Sequence, residues 1–169
     1  MNEGDAMSEE KRPEPTFEKI LFCTDFSENA DFAFSYALSL ARQNPESTLY
    51  LLHVVPESEA QFWKGYIYEV EDVDRKAKED IEERLDRTYR AKIPGEIGFQ
   101  AAFRVGKDYQ EILNFAKEND VDLIVIGRQG QGSLQKAFFG NVTEKVARQA
   151  PCAVLIIPMS YQQKLRKKS

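Results

Sequence analysis

Cysteine is scarce in this 169-residue chain, which holds Cys23 and Cys152 and no third. Two thiols, each inside an apolar run, form no disulfide framework, no CxxC motif and no zinc cluster, and both read as small buried hydrophobes. Histidine is scarcer still, with His53 alone. It stands within Leu49-Tyr50-Leu51-Leu52-His53-Val54-Val55. A satisfied core residue is the expected role there, and no Ser/His/Asp or Cys/His set assembles around it. Positive charge is in deficit: 23 lysines and arginines face 28 aspartates and glutamates, a net charge of −5. That balance argues against a nucleic-acid-binding surface. No apolar run is long enough to cross a bilayer. The opening residues Met1-Asn2-Glu3-Gly4-Asp5 lack the basic-then-apolar order of a secretory signal. A cytoplasmic protein without nucleic-acid or membrane partners is therefore expected.

What is present suits one globular domain: 42% hydrophobic and 30% charged residues over a length that supports a single core. Residues 1–16 are polar, carry Pro13 and Pro15, and read as a flexible tail. Residues 17–159 read as the domain. Residues 160–169, with Lys164-Leu165-Arg166-Lys167-Lys168, read as a basic tail. Five short apolar runs have strand length: Lys19–Cys23, Thr48–Val55, Ile97–Arg104, Val121–Ile126 and Cys152–Ile157. Helical spacing lies between them. Ala30, Ala33, Phe34, Ala37, Leu38 and Ala41 make one face, with Asp25 as expected N-cap and Glu28 completing a capping box. Val70, Val73, Ala77, Ile81 and Leu85 make a second face, and Tyr109, Ile112, Leu113 and Ala116 a third. Val142 and Val146 point inward from a last helix, Asn141 to Gln149. Trp63, Tyr66 and Tyr68 fall where no period is clear; they pack on the outer sheet face or cover a pocket.

Strand and helix thus alternate, and the strands are continuous apolar runs, not alternating ones. This is the pattern of a parallel sheet covered on both faces, an α/β doubly wound, Rossmann-like sheet of five strands. Such sheets bind ligands outside the carboxyl ends of their strands, where strand order reverses. Asp25, Val54, Gly106 and Gly127 lie at or just past four of those ends.

The one segment that suggests a ligand is Ile124-Val125-Ile126-Gly127-Arg128-Gln129-Gly130-Gln131-Gly132-Ser133, closed by Gly140-Asn141-Val142-Thr143. Glycine amides beside a helix N-terminus make an anion site. The spacing excludes a P-loop, because no lysine follows Gly132. It excludes the dinucleotide fingerprint too: Gln135 stands where the third glycine belongs, and the first strand-helix turn has no glycine. The same glycines can serve as tight turns alone.

The spacing Gly127-x2-Gly130-x9-Gly140 resembles the ATP-binding signature of the universal stress protein family. The likeness runs from about Phe17 to Pro158. It takes in Thr24-Asp25-Phe26-Ser27, Leu52-His53-Val54, Val105-Gly106, Val121 to Gly127, Gly140 to Val146, and Pro151 to Leu155. The resemblance implies ATP as ligand, with Mg or Mn as companion ion. It implies that Asp25 and Val54, with Cys23 and Thr24 beside them, frame adenine and ribose. Ile126 and Gly127 line the ribose side, Gly106 belongs to the same cofactor site, and Gly130, Gly140, Asn141, Val142 and Thr143 hold the phosphates. It implies a homodimer through the last strand, Cys152 to Pro158, acting as a nucleotide-dependent switch in stress response. One departure falls in the site. Asn141 replaces the usual Ser or Thr, and Glu144 three residues on makes a second capping-box pattern. Asn141 therefore either donates to a phosphate or caps the last helix. Arg128 either reaches a phosphate or is solvated. Two rival functions stay open, a slow ATP hydrolase and a dimeric interaction module that binds no nucleotide.

Overall fold

The computed structural model describes residues 16–58, 72–128 and 138–167, with the backbone alone at 72–77 and 138–141. The chain order is β1 (Lys19–Thr24), α1 (Glu28–Gln43), β2 (Thr48–Pro56), α2 (Asp72–Thr88), β3 (Gly98–Gly106), α3 (Asp108–Glu118), β4 (Leu123–Arg128), α4 (Phe138–Gln149), β5 (Ala153–Pro158) and α5 (Met159–Arg166). The strands form one sheet in the order β3-β2-β1-β4-β5, and every pairing is parallel. The expected doubly wound α/β fold is the observed one. From β1 the chain builds outward through β2 and β3, then returns to place β4 on the other side of β1. Strand order therefore reverses between β1 and β4.

The pleat divides the core in two. Ile20, Phe22, Leu49, Leu51, Leu123 and Val125 face α1 and α2, meeting Ala33, Phe34, Ala37, Leu38, Leu85 and Tyr89. Leu21, Cys23, Tyr50, Leu52, Ile124 and Ile126 face α3 and α4, meeting Ile112, Phe115, Ala116, Val142 and Val146. Strands buried on both faces must be apolar at every position, which is why they read as unbroken runs. The predicted inner face of α1 is buried throughout. On the second predicted face Leu85 is buried and Ile81 half-buried; Val70 lies outside the described residues, as do Trp63, Tyr66 and Tyr68.

Two local expectations are corrected. First, the N-cap of α1 is Ser27, not Asp25. Ser27 is extended (ψ 160°), and its hydroxyl accepts the Ala30 N–H at 3.2 Å. Asp25 Oδ1 instead accepts the Ser27 N–H at 3.0 Å, and Glu28 pairs with Arg166. Second, α4 starts at Phe138, so Asn141 lies inside its first turn and is not its cap. The basic tail, whose order the sequence leaves open, is mostly helical. α5 folds back on α1, with Tyr161 near Phe32 and Tyr36, and Arg166 2.9 Å from Glu28. Smaller shifts occur at strand starts. β4 begins at Leu123 because Asp122 turns its carboxylate to the Glu18 and Lys19 amides, at 3.0 and 2.9 Å.

Candidate functional site

The carboxyl ends of all five strands share one edge, and the register fixes what meets there. Thr24 is level with His53, Cys23 with Ile126, Gly127 with Ile157, and Pro56 with Gly106. The pleat then sorts the predicted site residues by face. Cys23, Val54, Ile126 and Val142 belong to the α3/α4 side. Cys23 is sealed in, and burial pushes its thiol well above the usual range. Thr24 points to the opposite side, where its hydroxyl meets Tyr89 and the Phe26 amide. His53, half-buried, donates from Nδ1 to the Thr24 carbonyl at 2.8 Å.

Asp25 is exposed at the tip of β1, with one hydrogen bond to the turn from Ser27. Gly127 lies at the switch point against the first turn of α1. A Cβ there would sit 2.8 Å from Asn29 Nδ2 and 2.9 Å from the Asn29 carbonyl oxygen. Close helix approach therefore requires this glycine independently of any ligand. Arg128 ends β4 exposed. Gly130 lies outside the described residues.

An open cavity of about 350 Å³ lies at this edge, where β2 and β3 end. Pro56, Glu57 and Ser58 form one wall, Gly106 to Tyr109 a second, and Val142 and Lys145 of α4 the third. The Lys145 ammonium sits over the Tyr109 ring, 4.4 Å from its centroid. Lys107 is the N-cap residue of α3 and gives it no side-chain hydrogen bond. Two cations, two carboxylates and the N-terminus of α3 thus surround the space, with α4 presenting Val142 and Lys145 from beyond its first turn. Residues 138–141 contribute the first four N–H groups of α4, which have no acceptor within the helix. Gly140 and Asn141 are among them.

Just beyond stands Thr143, 3% exposed. Its hydroxyl oxygen has no hydrogen-bond partner among the described residues. A buried orphan of this kind is costly unless something arrives to satisfy it. Glu144, which the sequence places near any phosphate, is turned out to solvent and bonded to Arg148 at 3.0 Å. Among the described residues, no three His, Cys, Asp or Glu side chains gather as metal ligands, and no helix is long and apolar enough to cross a membrane.

Lys107 and Lys145 line the cavity without having been singled out in the sequence, and Tyr109, expected only on the inner face of its helix, lines it too. Lys145 had a signal, since it lies three residues after Val142 and so shares its helix face. Lys107 had a weaker one, directly after the glycine that ends β3.

Comparison with known proteins follows the same outline. A family model described as the universal stress protein family matches residues 16–158. Universal stress protein YxiE of Bacillus subtilis is 34% identical over 147 residues, covering 83% of this chain and 99% of the relative. Universal stress protein MJ0577 of Methanocaldococcus jannaschii is 28% identical over 154 residues, covering 83% and 94%. The solved structure of MJ0577 superposes with a TM-score of 0.69 at 25% identity, over 85% of this chain and 97% of that one. The Archaeoglobus fulgidus universal stress protein in complex with dAMP shares the fold, with a TM-score of 0.55 at 20% identity over 83% and 97%.

Proposed function

The chain belongs to the universal stress protein family, and from that premise we propose that its carboxyl edge binds ATP and that occupancy acts as a dimeric switch. The observation that carries this reading is the Thr143 hydroxyl, buried one helical turn into α4 and without a hydrogen-bond partner among the described residues. The N–H groups of residues 138–141, which have no acceptor within the helix, precede it on α4, and the Lys145 ammonium stands at the neighbouring cavity over Tyr109, so that donors suited to phosphate lie along this helix. In this reading Asp25 accepts from a ribose hydroxyl or the adenine amino group. Val54, Ile126 and Val142, with Cys23 beneath, supply an apolar wall for the base. Gly106 keeps the end of β3 clear, Gly127 and Gly130 shape the loop, and Gly140, Asn141 and Thr143 meet the phosphates. Thr24 acts from behind the sheet. Mg or Mn accompanies the phosphates as part of the ligand. The rotation of Glu144 away from the site toward Arg148 removes one electrostatic objection.

A switch follows from linkage: a ligand that binds only the ordered cleft stabilises it by RT ln(1 + [L]/Kd), about 2.7 kcal/mol at a hundredfold excess over Kd. β5 lies at the edge of the sheet, so its outer backbone groups suit pairing with a second copy through Cys152 to Pro158. The test is mass spectrometry of ligand released on denaturing freshly purified protein, with ATP calorimetry and sedimentation velocity. Released adenine nucleotide, saturable binding and a nucleotide-dependent dimer are expected. A folded protein that carries no nucleotide and gives no heat at millimolar ATP would eliminate the reading. Phosphate release at a steady rate, lost in Gly140→Asp protein, would move it to the hydrolase alternative.

A further inference from the structure

A tyrosine that neither the cavity nor the glycine loop accounts for lies behind the turn carrying Asp25. Tyr89 follows α2, and its side chain is fully buried. Its hydroxyl stands 2.6 Å from Thr24 Oγ1 and 2.6 Å from Asp31 Oδ1. Chemistry orders the protons. A carboxylate only accepts, so the Tyr89 O–H donates to Asp31. Thr24 Oγ1 accepts the Phe26 N–H at 2.9 Å, and its own proton goes to the Tyr89 oxygen. One relay therefore runs from the Phe26 amide through Thr24 and Tyr89 to α1.

That relay holds a strained turn. Phe26 has φ of 59°, in the left-handed region that non-glycine residues visit at a cost. Such a conformation persists only where its surroundings over-determine it. Here the Phe26 ring stacks on Tyr89 (5.9 Å, 26°), leans on His53 (4.8 Å) and lies under the Arg84 guanidinium (4.6 Å). Asp25 sits between the two bonded residues, Thr24 and Phe26. The direction of its carboxylate is set by backbone that the relay fixes.

We infer that Tyr89 is a positioning residue for nucleotide recognition: its hydroxyl holds the Thr24–Ser27 turn so that Asp25 is presented at the carboxyl edge. This rests on the reading of Asp25 as a ribose or adenine contact. Tyr89→Phe keeps the ring and its stacking but removes the hydroxyl.

The experiment is a double-mutant cycle on the full chain, with ATP affinity read by calorimetry. Amide hydrogen exchange of the ligand-free proteins is followed in parallel. Tyr89→Phe is expected to weaken ATP binding about tenfold, the scale of one hydrogen bond to a charged group. Asp25→Ala weakens it further, and adding Tyr89→Phe to Asp25→Ala changes nothing more. A residue important only for stability would leave the affinity of the folded protein unchanged, and one acting on binding independently of Asp25 would give additive effects. Exchange at the Phe26 and Ser27 amides should accelerate in Tyr89→Phe while that of Leu123 to Val125 stays constant.

Additivity in the cycle, or unchanged exchange at Phe26, overturns the inference. Wild-type protein that fails to bind ATP while Phe26 exchange still accelerates sinks the nucleotide reading, and the recognition role with it, but leaves the relay standing. The two failures are thus distinguishable. Should Tyr89→Phe not fold, Thr24→Val breaks the relay from its other end and must give the same cycle with Asp25.

Discussion

Gly127→Ala should be the most damaging single-methyl addition among the described glycines. The added carbon would stand 2.8 Å from Asn29 Nδ2, 2.9 Å from Asn29 O and 3.1 Å from Asn29 C. Non-bonded carbon contacts are comfortable at roughly 3.5–4.0 Å. Two of those three atoms are backbone, and Asn29 is itself 3% exposed in the first turn of α1. A rotamer change cannot relieve the contact; the helix must move off β4. Overpacking of this kind costs about 1–3 kcal/mol, and the backbone clash places Gly127→Ala in the upper half of that range. In a domain of this size each kcal/mol moves Tm by roughly 2–4 °C, so a fall of roughly 4–12 °C is expected.

Urea and thermal unfolding followed by circular dichroism provide the assay, with two other glycines as internal controls. At Gly106 an added Cβ meets the flexible Glu111 side chain, nearest at 2.9 Å, which can swing aside, so a loss below about 1 kcal/mol is expected. At Gly95 nothing lies within 4 Å, and alanine should be neutral or stabilising by up to about 1 kcal/mol through the unfolded chain. The order of stability should be Gly95→Ala, then Gly106→Ala, then Gly127→Ala. A Gly127→Ala protein as stable as Gly95→Ala would refute the claim that helix packing requires this glycine.

Other outcomes follow from single observations. Thr143→Val removes the orphaned hydroxyl; unfolding of the ligand-free protein should be unchanged or shifted up by as much as about 1 kcal/mol, while calorimetry should show ATP binding about tenfold weaker. Burial raises the Cys23 thiol above its ordinary 9.0 and the Tyr89 phenol above its ordinary 10.0. The folded state therefore keeps protons that the unfolded chain loses, and stability should fall above about pH 9, by about 1.4 kcal/mol per pH unit for each group. Urea midpoints at several pH values check this, and Cys23→Ala should delay the decline to about pH 10. Arg166→Ala breaks an ion pair whose side chains are 68% and 59% exposed, so denaturation should register less than about 0.5 kcal/mol.

The fold was legible because its physics is local. Runs such as Ile20 to Thr24 and Leu123 to Gly127 are buried at every residue, and only a sheet covered on both faces demands that. The α1 stripe from Ala30 to Ala41 carried its own period. Helix α5 was not legible, because its sequence is mostly polar and basic; what orders it are Phe32, Tyr36 and Glu28, more than a hundred residues earlier. Tyr89 left no mark for the same reason: its partners Thr24 and Asp31 are 65 and 58 residues away. The glycine pattern was visible but ambiguous. Gly127 fits a ligand loop and a helix contact equally, and only the position of Asn29 reveals the second demand.

The displaced cap of α1 bears on function more than its two-residue size suggests. An aspartate at the N-cap gives its carboxylate to the helix, accepting from the second or third amide. Asp25 in that role would be turned down along α1. With Ser27 taking the Ala30 amide, Asp25 is one step removed, anchored by the Ser27 N–H alone among the described hydrogen bonds of its carboxylate, and exposed at the edge of the sheet. The left-handed Phe26 lies between the two residues, and the Thr24–Tyr89–Asp31 relay holds it from the opposite face. The structure thus divides the labour along four consecutive residues. Thr24 ties the turn down, Phe26 absorbs the strain, Ser27 starts the helix, and Asp25 is left with acceptor capacity for something outside the chain.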